Sequence, residues 1–252
     1  MPNFFKKNSL KCPIDEETRI WMENAVLWMI TKFSEPRLLA VRTYTPTEED
    51  LPFDFTGDEK VVWSIAAIIC QQMDLNPDDI TIGFFDQITL EVNTGSGHTI
   101  FAQPMENERY ICGRYNGIDS FGKHSISLES GQLMDPEKLV ATLAHELSHV
   151  KILGSGLLKE NDEYLTELFT VFFGFGIFSA NAAFRFFKTQ NAWGYNAQGY
   201  FTQQEWGYAL ALYSYVHYQA DPEWMKHLTP NILSDFKKGQ SFILENQDKI
   251  LR

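Results

Sequence analysis

An α+β fold follows from where the periodicities fall along this chain. Short strand-like runs gather before about residue 130, and after it apolar residues recur at helical spacing over long stretches. No internal repeat and no low-complexity linker interrupts that order. One domain over residues 1–252 is therefore the simplest organisation, with a sheet-containing part over about 1–130 and a helical part over about 131–252.

The elements follow in order. Asp15 to Phe33 reads as a helix, because Ile20, Trp21, Ala25, Leu27, Trp28 and Ile30 form an apolar side. Leu38 to Thr43 is a short strand candidate. Thr45 to Gly57 holds two prolines and the run Glu48-Glu49-Asp50, which marks a loop. Asp58 to Met73 is a second helix, and Asn76-Pro77-Asp78-Asp79 a turn. Ile80–Phe85, Ile88–Val92, Thr99–Ala102 and Tyr110–Tyr115 read as strands, with Asn93 to Gly97 as a tight connection. His124-Ser125-Ile126-Ser127-Leu128-Glu129 alternates polar and apolar, as a half-buried strand does. A helix from Pro136 follows, capped by Asp135, with proline where its missing N–H costs nothing. A Gly154-Ser155-Gly156 turn then leads to a long helical stretch from about Asn161 to Phe187. Trp193 to Gly199 is a Gly/Asn-rich loop, Gln203–Gln219 is helical, and Pro230–Leu251 forms a last helix.

Composition narrows the function classes. The chain is 44% hydrophobic, enough for a sizeable core, and its net charge is −12. Nucleic acid and anionic membranes both select basic patches, and Lys237-Lys238 is too short to be one. Neither is an expected partner. The three cysteines, Cys12, Cys70 and Cys112, are odd in number, widely spaced and without a C-x-x-C, which predicts a reducing compartment. The lysines at 6, 7 and 11 precede no apolar stretch of signal-peptide length, so a cytoplasmic location is expected. Leu168 to Phe178 is apolar apart from Thr170. It is shorter than the roughly 20 residues a bilayer requires and reads as a buried core helix.

The chemistry gathers at His145-Glu146-Leu147-Ser148-His149, an H-E-x-x-H pattern. Positions four apart share one helix face, so two imidazoles can point at one metal ion, with Glu146 beside its open side. Leu139, Val140, Leu143, Leu147 and Val150 give the helix the apolar face that would bury it. A catalytic zinc takes three protein ligands, so one more is needed downstream, where Glu160, Asp162, Glu163 and Glu167 are the acidic candidates. Glu163 and Glu167 also share a face. One could ligate while the other accepts the far N–H of a ligand histidine.

His145 to His149 followed by Glu163-Tyr164-Leu165-Thr166-Glu167 resembles the gluzincin zinc metallopeptidases, over about Leu128 to Gly176. The resemblance implies a zincin-like fold with one zinc per chain, Glu163 as third ligand and Glu167 as the supporting acid. The chain departs from the family in two respects. Position 167 is Glu where Asp is usual, and only thirteen residues separate His149 from Glu163, so Glu160 and Glu167 stay candidates for the ligand. The same resemblance implies an edge strand that pairs with an extended peptide or protein substrate, for which Ser125, Ile126, Ser127 and Leu128 are the candidates. An oxyanion donor is also needed, and Tyr213 and His217, four apart on one predicted helix, are the candidates. The expected activity is zinc-dependent amide hydrolysis with Glu146 as general base. The rivals are a silent scaffold that binds partners and a structural zinc site, to which Cys112 could add a thiolate.

Overall fold

Helix-capping side chains sit at most of the predicted helix starts. A computed structural model describes residues 10–86, 90–93, 99–102, 112–188, 193–197 and 199–252. Residues 94–97 of the connection expected from Asn93, residues 88 and 89 of the strand expected to Val92, and the first two residues of the strand expected at Tyr110 lie outside these residues. The fold is α+β, with helix predominating. The chain folds as two compact units: Phe53–Asn161, and Met1–Pro52 together with Asp162–Arg252.

Among the described residues, the Phe53–Asn161 unit carries α3 (Glu59–Gln72), five strands and α4 (Pro136–His149). The Asp58 carboxylate accepts from Lys60 N and starts α3, and Asp135 accepts from Lys138 N and starts α4. β1 (Ile80–Phe85), β4 (Gly113–Ile118) and β5 (His124–Glu129) form one sheet in the order β1-β5-β4. β5 runs parallel to β1 and antiparallel to β4, with a bulge between Tyr115 and Gly117. β2 (Leu90–Asn93) and β3 (Thr99–Ala102) make a separate antiparallel pair. The core of this unit joins Val62, Ile65 and Ile69 of α3 and Leu139, Val140, Leu143 and Leu147 of α4 to Ile126 and Leu128 of β5, all buried. The strand β5 has the bounds its alternation predicts.

The other unit is built on α1 (Glu16–Phe33), α2 (Glu35–Leu39), α5 (Glu163–Thr170), α6 (Gly176–Ala183), α7 (Gln203–Val216) and α8 (Pro230–Glu245). Aromatic side chains fill it: Phe169, Phe172, Phe173, Phe175, Phe178, Trp206, Tyr208, Tyr213 and Phe236 are almost wholly inaccessible. From Leu165 to Ala183 the apolar stretch is buried, as a core helix should be. It is not one rod. The winding breaks in a kink at Phe173 and Gly174, and Gly174 adopts φ 87°, where a side chain would be strained.

Four expectations need correction. Leu38–Thr43 is not a strand: Pro36 in the first turn seeds α2, and the chain then runs as coil. The long helix stops at Ala183, since Phe184–Lys188 is strand β6, and Trp193–Ala197 is its antiparallel partner β7 rather than a loop. Aromatic-rich segments suit a pleated ribbon, and that preference outweighs the Gly and Asn between them. The last helix ends at Glu245, short of Leu251.

Candidate metal centre

α4 places the motif at its own end. Its last residue is His149, and the next five residues, Val150–Gly154, widen into a π-helix. Within α4 the Ser148 hydroxyl donates to Ala144 O at 2.7 Å, which satisfies a buried hydroxyl without leaving the helix. His149 is buried at 6% exposure and Glu146 at 5%, while His145 is half-buried.

The two imidazoles converge. Their Nε2 atoms lie 3.2 Å apart, with the rings edge to face at 4.8 Å between centroids. Two nitrogens held at ~2.0–2.1 Å by one tetrahedral zinc would lie about 3.3 Å apart. The pair therefore has the separation that two ligands of one ion would have, and the four-residue spacing on α4 brings both rings to one face.

Glu146 lies against β4. A Cβ added at Gly113 would sit 2.8 Å from Glu146 Oε1 and 2.5 Å from Thr142 Cγ2. Only glycine leaves room there for the carboxylate to lie along the strand. Beside it, Cys112 is buried, and burial pushes its thiol up to about 11. A thiol so far from ionising is a poor nucleophile.

Asp162, Glu163 and Glu167 belong to the other unit. Asp162 caps α5 by accepting from Leu165 N at 3.0 Å, and Glu163 is the first residue of that helix. Glu167 is buried at 3% exposure, and its Oε1 accepts from Tyr200 N at 3.1 Å. Gly199 sits so close that a Cβ there would meet Glu167 Oε1 at 2.5 Å. This carboxylate is thus fixed by the backbone that follows β7, a support that no spacing in the sequence reveals. Glu160, by contrast, is exposed and precedes the helix.

Two further expectations change. β5 is the middle strand of its sheet, so both of its backbone edges are hydrogen-bonded and Ser125–Leu128 cannot add a substrate strand. The side chains of Ile126 and Leu128 are buried, and the Ser125 and Ser127 hydroxyls accept from Asn116 Nδ2 at 3.4 and 2.9 Å. Among the described residues β4 is the outer strand on that side. Tyr213 and His217 are corrected as well. The Tyr213 hydroxyl shares a 2.7 Å hydrogen bond with Thr43 Oγ1, and burial pushes the phenol up to about 12. The His217 nitrogens face Tyr213 O at 2.9 Å and Leu38 O at 3.1 Å, and burial lowers its basicity. Polar atoms engaged in this way hold α7 in its unit and do not serve as an oxyanion donor.

The sequence reading also missed Tyr115 and His124. The Tyr115 hydroxyl is 2.9 Å from His124 Nδ1, and its ring lies nearly parallel to that of His149, 6.4 Å between centroids and 11° between planes. Neither residue belongs to a motif, and only strand pairing brings them beside α4.

No family model, curated protein or solved structure matches this chain.

Proposed function

We propose that this chain is a zinc-dependent hydrolase of the gluzincin type that cleaves amide bonds in peptide or protein substrates, on a zincin-like α+β fold. The observation that carries the reading is the 3.2 Å separation of His145 and His149 Nε2. It matches the distance expected for two ligands of one tetrahedral ion. The third ligand in this reading is Glu163, the first residue of α5. In this reading those three bind zinc, and Glu167 supports a ligand imidazole.

A zinc ion held there supplies Lewis acidity, which acidifies water and polarises a carbonyl. The rest is the work of the chain. Glu146 takes a proton from the attacking water on one carboxylate oxygen and returns it to the departing amine nitrogen. Its burial against Gly113 restricts where that carboxylate can point, so the base is positioned before substrate arrives.

Exchange of Glu146 for Gln tests the assignment. Glu146→Gln should fold and bind zinc as the wild type does, while hydrolysis of a peptide library, measured against a chelator control, disappears. Cleavage by Glu146→Gln at the wild-type rate would remove Glu146 as the base. If the wild type binds zinc and cuts no peptide, a partner-binding scaffold replaces the enzyme. The acids separate in the same assay: Glu163→Ala should lose most zinc affinity, and Glu167→Ala should weaken it about 10–100-fold. The opposite order would exchange their roles.

A further inference from the structure

His149 stands where its helix ends. An imidazole on a regular helix is aimed by the turns on either side of it, but from Val150 onward the winding is that of a π-helix. A ligand in that position needs another element to orient its ring, since a metal site tolerates only small angular errors.

The unit provides one. The Tyr115 ring on β4 lies nearly parallel to the His149 ring, at 11° and 6.4 Å. The Tyr115 hydroxyl is in turn held 2.9 Å from His124 Nδ1 on β5. His124 is then wedged against Gly154, where an added Cβ would be 2.5 Å from its Cε1 and 3.0 Å from its Nδ1. Gly154 closes the π-helix that begins directly after His149. The contacts therefore run in a circuit from the ligand to two adjacent strands and back to the same helix end.

We infer that Tyr115 and His124 are positioning residues that lock the His149 imidazole in its metal-binding orientation, with Gly154 kept free of a side chain to admit His124. This rests on the zinc-hydrolase reading for its purpose and on the geometry of one unit for its existence. The missing side chain of Gly154 is the telling feature. A helix end gains nothing from a glycine at a position that requires no unusual φ, yet any larger residue would evict the His124 ring. Bracing by packing and hydrogen bonds around a ligand histidine is worth about 10–100-fold in metal affinity where it has been removed.

The experiment compares wild type with Tyr115→Leu, Tyr115→Phe and Gly154→Ala, each checked for folding by circular dichroism. His124→Ala is the substitute should Gly154→Ala fail to fold. Zinc affinity is measured by chelator competition, and the ring nitrogens of His149 and His145 are followed by NMR in the metal-free protein. Tyr115→Leu should bind zinc about 10–100-fold more weakly and shift the His149 ring signals far more than those of His145. Tyr115→Phe and Gly154→Ala should each lose a smaller factor. Their combination should lose no more than the weaker single variant, because both act through His124. Unchanged zinc affinity in a folded Tyr115→Leu, or His149 ring signals that do not move, overturns the brace. A wild type that takes up no zinc overturns the metal reading instead, and the metal-free ring signals still decide for or against the brace.

Discussion

Two helices of this protein carry the same device, a pair of ring side chains four residues apart, and use it for opposite ends. On α4, His145 and His149 turn their Nε2 atoms toward each other at 3.2 Å. At the end of α7, Tyr213 and the C-cap residue His217 pack more tightly still, 4.0 Å between centroids, but their polar atoms point away to Thr43 and to the Tyr213 and Leu38 carbonyls. Spacing brings two rings onto one face in both cases. What their nitrogens and oxygens meet is decided by packing, and that separates a pair proposed to ligate a metal from a strut. The α7 pair sits in an aromatic core that surrounds it. The α4 pair sits at a helix end beside a strand whose Gly113 and Tyr115 make room for Glu146 and orient a ring.

The largest difference between the pairs should appear on removing one histidine from each. His149→Ala should lose more than about a hundredfold in zinc affinity, beyond the range for a lost supporting contact. His217→Ala should keep its zinc and lose about 1–3 kcal/mol of stability, since a buried pair of backbone carbonyls loses a partner. Isothermal titration and denaturant unfolding read the two effects. Zinc loss in His217→Ala would dissolve the distinction.

A smaller effect lies in pH. Burial lowers the basicity of His217 in the folded chain, while the unfolded chain restores it to the ordinary imidazole range near 6.5. The unfolded state then binds the extra proton first as pH falls. Stability from this residue is fully present above the unfolded pKa and is lost as pH drops through the lowered folded value. Unfolding measured between about pH 7.5 and 5 should therefore show a slope that flattens in His217→Gln. An identical slope in both proteins would place the titration elsewhere.

Much of the frame was legible before any coordinates. Asp15, Asp58, Asp135 and Asp162 announce their helices, and all four side chains accept from backbone amides in the first turn. The alternation of His124–Glu129 gives the bounds of β5. It does not say that β5 lies between two other strands, because pairing is a long-range property that one strand's residues do not encode. Nor does it say that Phe184–Lys188 would turn back as a strand, since an apolar aromatic run satisfies helix and strand alike until its partner is known. The motif was plain. Its surroundings were not, because the approach of Gly113 to Glu146, of Gly199 to Glu167 and of Gly154 to His124 depends on which backbones meet.

X-ray absorption at the zinc edge of the loaded protein addresses the metal centre most directly. The fitted shell should contain two imidazole nitrogens at ~2.0–2.1 Å together with oxygen, and one imidazole should vanish in His145→Ala. A sulfur shell near ~2.3 Å, or a spectrum unchanged by His145→Ala, would contradict the site as described.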